Sequence, residues 1–283
     1  MRRRGFHLNK RERLFNVPGV ILWLVAAMAL IHAVRTYVLD ADADFTLLAS
    51  LAFTPARLTA QFDAQGVATA LRQLALRGGG DIEYATFFLG DASPQPWTLL
   101  TYSFLHADWM HFGLNSIWLL AFGAPVARRF GTARFLALFC VTAVLGVLTH
   151  YAMHAYDAMP IIGASAAVSG AMGAALRFVF QPGAPLGLAL ALRPDEPLAY
   201  RLPALPLRRS LQDRRVLTFI IFWFVTNFAF GVAAQPLGLT EGGVAWEAHV
   251  GGFLAGLLLF SWFDPKRSDF NLQDEPEHVE RPM

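Results

Sequence analysis

Charge is what this chain has least of. Only 16% of its 283 residues are Asp, Glu, Lys or Arg, against 55% that are hydrophobic, and the mean hydropathy is +0.42. Soluble domains carry nearer a quarter charged residues, so the balance excludes an ordinary soluble protein. Cysteine is almost missing. Cys140 stands alone, so no intrachain disulfide can form, and it says little about redox compartment. Two catalytic signatures are also absent. There is no HExxH zinc pair, and the soluble-hydrolase elbow GxSxG fails because Ala167 stands where its second glycine belongs. No internal repeat is evident. The net charge of +2 is not a nucleic-acid footprint, because the positive residues are distributed by membrane sidedness, and no nucleic-acid partner is expected.

What the chain does have is long apolar runs, at 17–39, 110–127, 133–153, 161–180, 216–234 and 244–263. Each approaches the roughly 20 residues that a helix needs to cross the hydrocarbon core. The expected fold is therefore all-α, a polytopic bundle of six transmembrane helices over residues 17–263, in contact with membrane lipid. The first run follows Arg2, Arg3, Arg4, Lys10, Arg11 and Arg13. It is too long, and lacks the small-residue cleavage site, to be a signal peptide.

The positive-inside rule puts this basic segment, 1–16, in the cytoplasm. Six alternating spans then make 128–134, 181–215 and 264–283 cytoplasmic as well. These four segments hold 18 of the 23 Lys and Arg residues. Outside lie only Arg57, Arg72 and Arg77, beside eight acidic residues. Both termini are expected inside. The external connection, 40–109, contains "FTLLASLAFTPARLTAQF", too interrupted to span and read as an interfacial amphipathic piece. The cytoplasmic connection, 181–215, holds six prolines and reads as an irregular linker. The tail 264–283 reads as disordered.

Polar groups inside spans are costly and need a reason. In "SFLHADWMHFGLNSIWLL" His111 and Asn115 are four residues apart on one helical face, with His106 in the turn ahead. In "VAWEAHVGGFLAGLLLF" the residues Ala245, His249, Gly252 and Gly256 form one stripe. Gly252 and Gly256 make a GxxxG pair, which admits a neighbouring helix unusually close. In "PIIGASAAVSGAMGAALRFVF", Ser165, Ala166, Ser169, Gly170 and Gly173 fall within about 140° of one another. Taken singly, each polar group is explained as an interhelical or back-bonded hydrogen bond.

Depth and sidedness join them. The fourth and sixth spans both run inward, with Ser165 and His249 about 6–8 Å below their helix starts. A serine and a histidine are thus level on close-packing faces, with His111 and Asn115 arriving from the same side. Acyl transfer needs this set. A hydroxyl needs a base for its proton, and the tetrahedral intermediate needs donors at its oxygen, which His111, Asn115 and the Ser165 N–H could supply. Glu247 lies roughly opposite His249 on its helix and cannot orient the imidazole, so a Ser165–His249 dyad is expected.

At these residues the sequence resembles the rhomboid intramembrane serine proteases. The resemblance rests on "PWTLLTYSFLHADWMHFGLN" with its His-x4-His-x3-Asn spacing, "GASAAVSG" and "AHVGGFLAG", and covers about 90–263. It implies Ser165 as nucleophile, His249 as general base, His111 and Asn115 as oxyanion donors, and a structural role for His106, with Gly163, Gly252 and Gly256 packed around the site. It implies no cofactor and no metal. Implied substrates are single-pass transmembrane proteins, cut near the external membrane face after sideways passage. The fifth span and the loop "QPLGLTEGG" would be gate and cap. The chain departs from the family pattern at Ala166, usually glycine, and at Ser169, often aromatic. It also lacks the Trp-Arg pair of the external connection.

Two rival functions remain: a non-proteolytic relative binding transmembrane clients, which would typically lack the serine or the histidine, and a transporter. No charged pair at the midplane and no repeated halves speak for the transporter. His150 and His154, with Asp157, could bind a metal, but read as interfacial polar residues. His32 has no nameable partner. A six-span chain with no extra helix and no transit peptide fits a bacterial inner membrane.

Overall fold

Short polar caps and prolines divide this apolar chain into helices. The computed structural model describes residues 17–77, 81–181, 203–233 and 243–265. The basic segment 1–16, most of the linker 181–215, residues 235–242 of the expected cap and residues 266–283 of the tail lie outside the described residues.

Helix α1 (Gly19–Tyr37) is followed by Asp40, whose side chain accepts the Ala43 N–H at 2.8 Å and starts α2 (Ala41–Leu51). Pro55 opens α3 (Pro55–Thr59), where a missing N–H is no loss. Then come α4 (Ala64–Arg77), α5 (Asp81–Leu89) and the single turn α6 (Thr98–Thr101). The external connection is thus a layer of short helices.

Asp108 caps α7 (Trp109–Trp118) by accepting the His111 N–H at 2.7 Å. A π-helical turn, Leu119–Gly123, carries α7 into α8 (Ala124–Phe130). Pro125 has no N–H for the carbonyl of Ala121, and a wider turn accommodates that gap. Gly131, at φ +78°, breaks the chain into α9 (Thr132–Met153). The remaining helices are α10 (Ser165–Ala175), α11 (Leu207–Ser210), α12 (Arg214–Ala233) and α13 (Trp246–Phe263).

Among the described residues, four stretches are long and apolar enough to cross a membrane: α1, α7 with α8, α9 and α12. The expected span over 161–180 is not one continuous helix. It is an 11-residue α10 followed by tight turns. Its surroundings differ from those of a lipid-facing span: every residue of α10 from Ala166 to Ala175 is buried, so α10 is surrounded by protein. Helix α13, 18 residues long, opens with Glu247 and His249, which lowers its apolarity. Large apolar side chains are exposed on the longer helices, Trp23 and Leu30 on α1, Ile221 and Phe222 on α12 and Trp262 on α13, a surface suited to lipid.

The α10–α13 contact is as close as the small residues promised. A Cβ on Gly252 would collide with the Ala166 carbonyl, and one on Gly256 with the Gly170 carbonyl. From α9, Gly146 closes on Ala166 and Ala248. Two ion pairs tie the periphery. Arg129 holds Asp264 at 2.8 Å, so the first residue of the expected tail belongs to the folded body. Arg35 of α1 holds Asp44 of α2 at 2.7 Å and donates to the His106 carbonyl at 2.7 Å.

Candidate active site

The stretch leading to Ser165 is extended and held by backbone bonds from the external layer. Phe53 and Ile161 exchange two N–H···O bonds, of 3.1 and 2.8 Å. Ala56 N–H donates to Asp157 O at 2.8 Å, and Gly163 N–H to Tyr102 O at 3.0 Å. Tyr102 is itself anchored, its hydroxyl donating to the Ala143 carbonyl at 2.8 Å. Gly163 takes φ +121°, a backbone conformation that a side chain would strain. The chain then turns into α10, and Ser165 is its first helical residue.

The hydroxyl of Ser165 meets His249 Nε2 at 2.7 Å. Both residues are half-buried, Ser165 at the start of an otherwise buried α10 and His249 near the start of α13. The other ring nitrogen, Nδ1, lies 2.6 Å from Oδ1 of Asn227 on α12. The amide of Asn227 can be oriented only one way. Its Nδ2 donates to the Trp246 carbonyl at 3.1 Å, which leaves Oδ1, an acceptor only, for the imidazole. His249 therefore carries its proton on Nδ1 and presents the Nε2 lone pair to Ser165. The expected two-residue arrangement is a chain of three: Ser165, His249, Asn227.

Asn227 was not among the residues singled out from sequence. One strongly polar group in "VTNFAF" is a signal, but its partner lies 22 residues away across a loop, and no helical spacing connects them. Glu247, as expected, does not orient His249. Its two carboxylate oxygens lie 3.1 Å from His150 Nδ1 and 3.0 Å from His154 Nε2. Asp157, expected beside those histidines, instead accepts the Met159 N–H.

His111 and Gly163 are neighbours of the serine. A Cβ on Gly163 would stand 2.8 Å from His111 Nε2 and 3.7 Å from Ser165 Oγ, so imidazole and hydroxyl flank one small space. The His111 Nδ1 accepts the Ala107 N–H at 3.4 Å, which puts the proton of the neutral ring on Nε2, on the side of that space. Asn115 is buried, and its Nδ2 donates to the His111 carbonyl at 3.0 Å. One of its two N–H bonds is thus committed to its own helix. His106 is fully buried, its ring edge-on to the His111 ring at 5.1 Å and to Phe112 at 5.7 Å.

The two departures are accommodated by packing. Ala166 is buried against Gly146 and Gly252. Ser169 is also buried, and the polar contact to the imidazole comes from α12, through Asn227. That helix is held to α13 by Trp223 stacked on Phe253, ring centroids 4.3 Å apart, and by Phe228 edge-on to Trp246. In place of a Trp-Arg pair, the external layer is anchored by Trp97 donating to Ser50 O and Arg57 donating to Phe88 O, each at 2.8 Å.

Known proteins match the same region. A family model described as the Rhomboid domain matches residues 93–264. Rhomboid protease GluP of Bacillus subtilis (strain 168) is 26% identical over 162 residues, 57% of this chain and 25% of its own. Rhomboid-like protease 3 of Toxoplasma gondii is 26% identical over 175 residues, 62% of this chain and 54% of its own. Rhomboid protease GlpG of Yersinia pestis (strain Pestoides F) is 26% identical over 168 residues, 59% and 48% of the two chains. The chain thus spans between a quarter and about half the length of these relatives. The family match covers more than half of the chain and contains His106, His111, Asn115, Gly163, Ser165, Asn227, His249, Gly252 and Gly256, so this membrane protein belongs to the rhomboid family.

Proposed function

We propose that the chain is an intramembrane serine endopeptidase that cleaves transmembrane-helix substrates. The observation that carries this reading is the 2.7 Å contact between Ser165 Oγ and His249 Nε2. Ser165 attacks the scissile carbonyl while His249 Nε2 takes the hydroxyl proton. The imidazolium so formed is held by Asn227, whose Oδ1 accepts from Nδ1. The oxyanion is met by the Nε2–H of His111, by the remaining N–H of Asn115 and by the N–H groups at the start of α10, which have no intrahelical partner. The positive end of the α10 dipole faces the same oxygen. His249 then protonates the leaving amine, and water, deprotonated by the same imidazole, releases the acyl group.

Nucleophile, base and donors all lie at one end of the bundle. With the basic N-terminus in the cytoplasm, that end faces outward, in a bacterial inner membrane the periplasm. The substrates are single-pass membrane proteins. Helix α12, with Val216 its sole buried residue, is the wall beside which such a helix would enter, with Asn227 remaining on His249.

The test uses purified protein in detergent and a labelled single-helix substrate. Cleavage disappears in Ser165→Ala and in His249→Ala, and a fluorophosphonate labels the wild type at Ser165 only. Cleavage that survives the serine change would remove the protease reading. A client-binding protein without peptidase activity would stay unlabelled.

A further inference from the structure

At the outer end of α9, away from the serine, three ligating side chains converge. His150 lies in the last turn of α9, His154 follows its end, and Glu247 sits in the first turn of α13. One donor atom from each lies within 4.8 Å of the other two. The imidazole rings are stacked, centroids 4.4 Å apart and 20° from parallel. His150 and Glu247 are buried, whereas the His154 side chain is 41% exposed.

We infer that His150, His154 and Glu247 form a binding site for a divalent cation of the zinc class. Two imidazole nitrogens and a carboxylate are a ligand set that zinc takes with three protein donors and a fourth open position. Calcium and magnesium prefer all-oxygen sets. Tetrahedral bonds of about 2.0–2.1 Å put neighbouring donors about 3.3 Å apart; each histidine lies 3.1 or 3.0 Å from its own oxygen of the Glu247 carboxylate, and one donor atom from each of the three residues falls within 4.8 Å of the others. Small rotations of the half-exposed His154 and of the carboxylate bring three lone pairs onto one point. As the cation enters, the ring proton that now faces Glu247 on each histidine passes to that ring's other nitrogen, so both imidazoles bind in neutral form, and the exposed edge of His154 supplies both the way in and the open fourth position.

The consequence is mechanical. The cation would clamp the end of α9 to the start of α13, two residues before His249 but on the far side of the helix from Ser165. It takes no part in acyl transfer, so the site stands whether or not the chain cleaves peptides.

The test is zinc binding by the full chain, purified in detergent without a polyhistidine tag and stripped with chelator. Calorimetric titration with zinc chloride should give one equivalent in the wild type and in His249→Ala. Glu247→Gln and His154→Ala should each weaken it by at least about tenfold, while calcium and magnesium give no heat at the same concentrations. Zinc should also raise the thermal midpoint of the wild type but not of His154→Ala. His154 is half-exposed, so that variant is expected to fold, which its metal-free midpoint checks. No binding by wild type, or equal binding by His154→Ala, overturns the site.

Discussion

At the scale of single residues, the proposed base, His249, is oriented by a neutral group. An asparagine accepts from His249 Nδ1 as a carboxylate would, but places no buried negative charge in a lipid-surrounded bundle, where an uncompensated carboxylate is expensive. In the proposed mechanism Asn227 is a positioning residue and is not expected to touch substrate. Asn227→Ala should lower kcat by about 10- to 100-fold with little change in KM, because the base loses its tautomer and aim but substrate contacts remain. The rate of fluorophosphonate labelling at Ser165 should fall in parallel. Asn227→Asp should recover part of both, since its oxygen still accepts. If Asn227 serves packing alone, the thermal midpoint will drop and the labelling rate per folded molecule will not.

Among the helices, the small residues of α10 and α13 act through distance. Gly252 and Gly256 bring one backbone against another, and that approach lets a histidine on one helix reach a serine on the next. Gly256→Val should destabilise the protein by at least about 1–3 kcal/mol, since the obstructing atom is the Gly170 carbonyl and cannot swing aside. Gly113→Ala on α7 provides the contrast. Nothing lies within 4 Å of its added Cβ, and a helix-interior glycine replaced by alanine gains about 0.5–1 kcal/mol. Thermal unfolding in one detergent ranks all three proteins; equal midpoints would remove the close-packing argument. The sequence pattern made this interface legible through the GxxxG pair. It did not reveal that α10 ends after 11 residues, because hydropathy registers how apolar a run is and not whether lipid or protein surrounds it.

For the whole molecule, asymmetry is the organising fact. One end of the bundle carries the layer of short helices, the Phe53–Ile161 bridge and both histidine clusters; by the proposed topology it faces outward. The opposite end carries Arg128, Arg129 and Arg134 and the Arg129–Asp264 pair. Fluorescent protein fused after Met283 should therefore fluoresce in the bacterial cytoplasm, and alkaline phosphatase inserted in the external connection near residue 80 should be active. The reverse pattern would invert the orientation and place Ser165 at the inner leaflet.

The sequence by itself determined that the chain is a helical membrane protein, which way it is expected to face, and that Ser165, His249 and His111 could share a level. Composition, charge asymmetry and helical spacing are local properties, and a linear pattern carries them. Only the tertiary structure decided which groups touch. It brought Asn227 to His249, turned Glu247 toward His150 and His154, and enclosed α10 on every side. Those contacts join residues 22, 93 and 97 positions apart. They depend on how helices pack across loops, which no periodicity within a single span encodes.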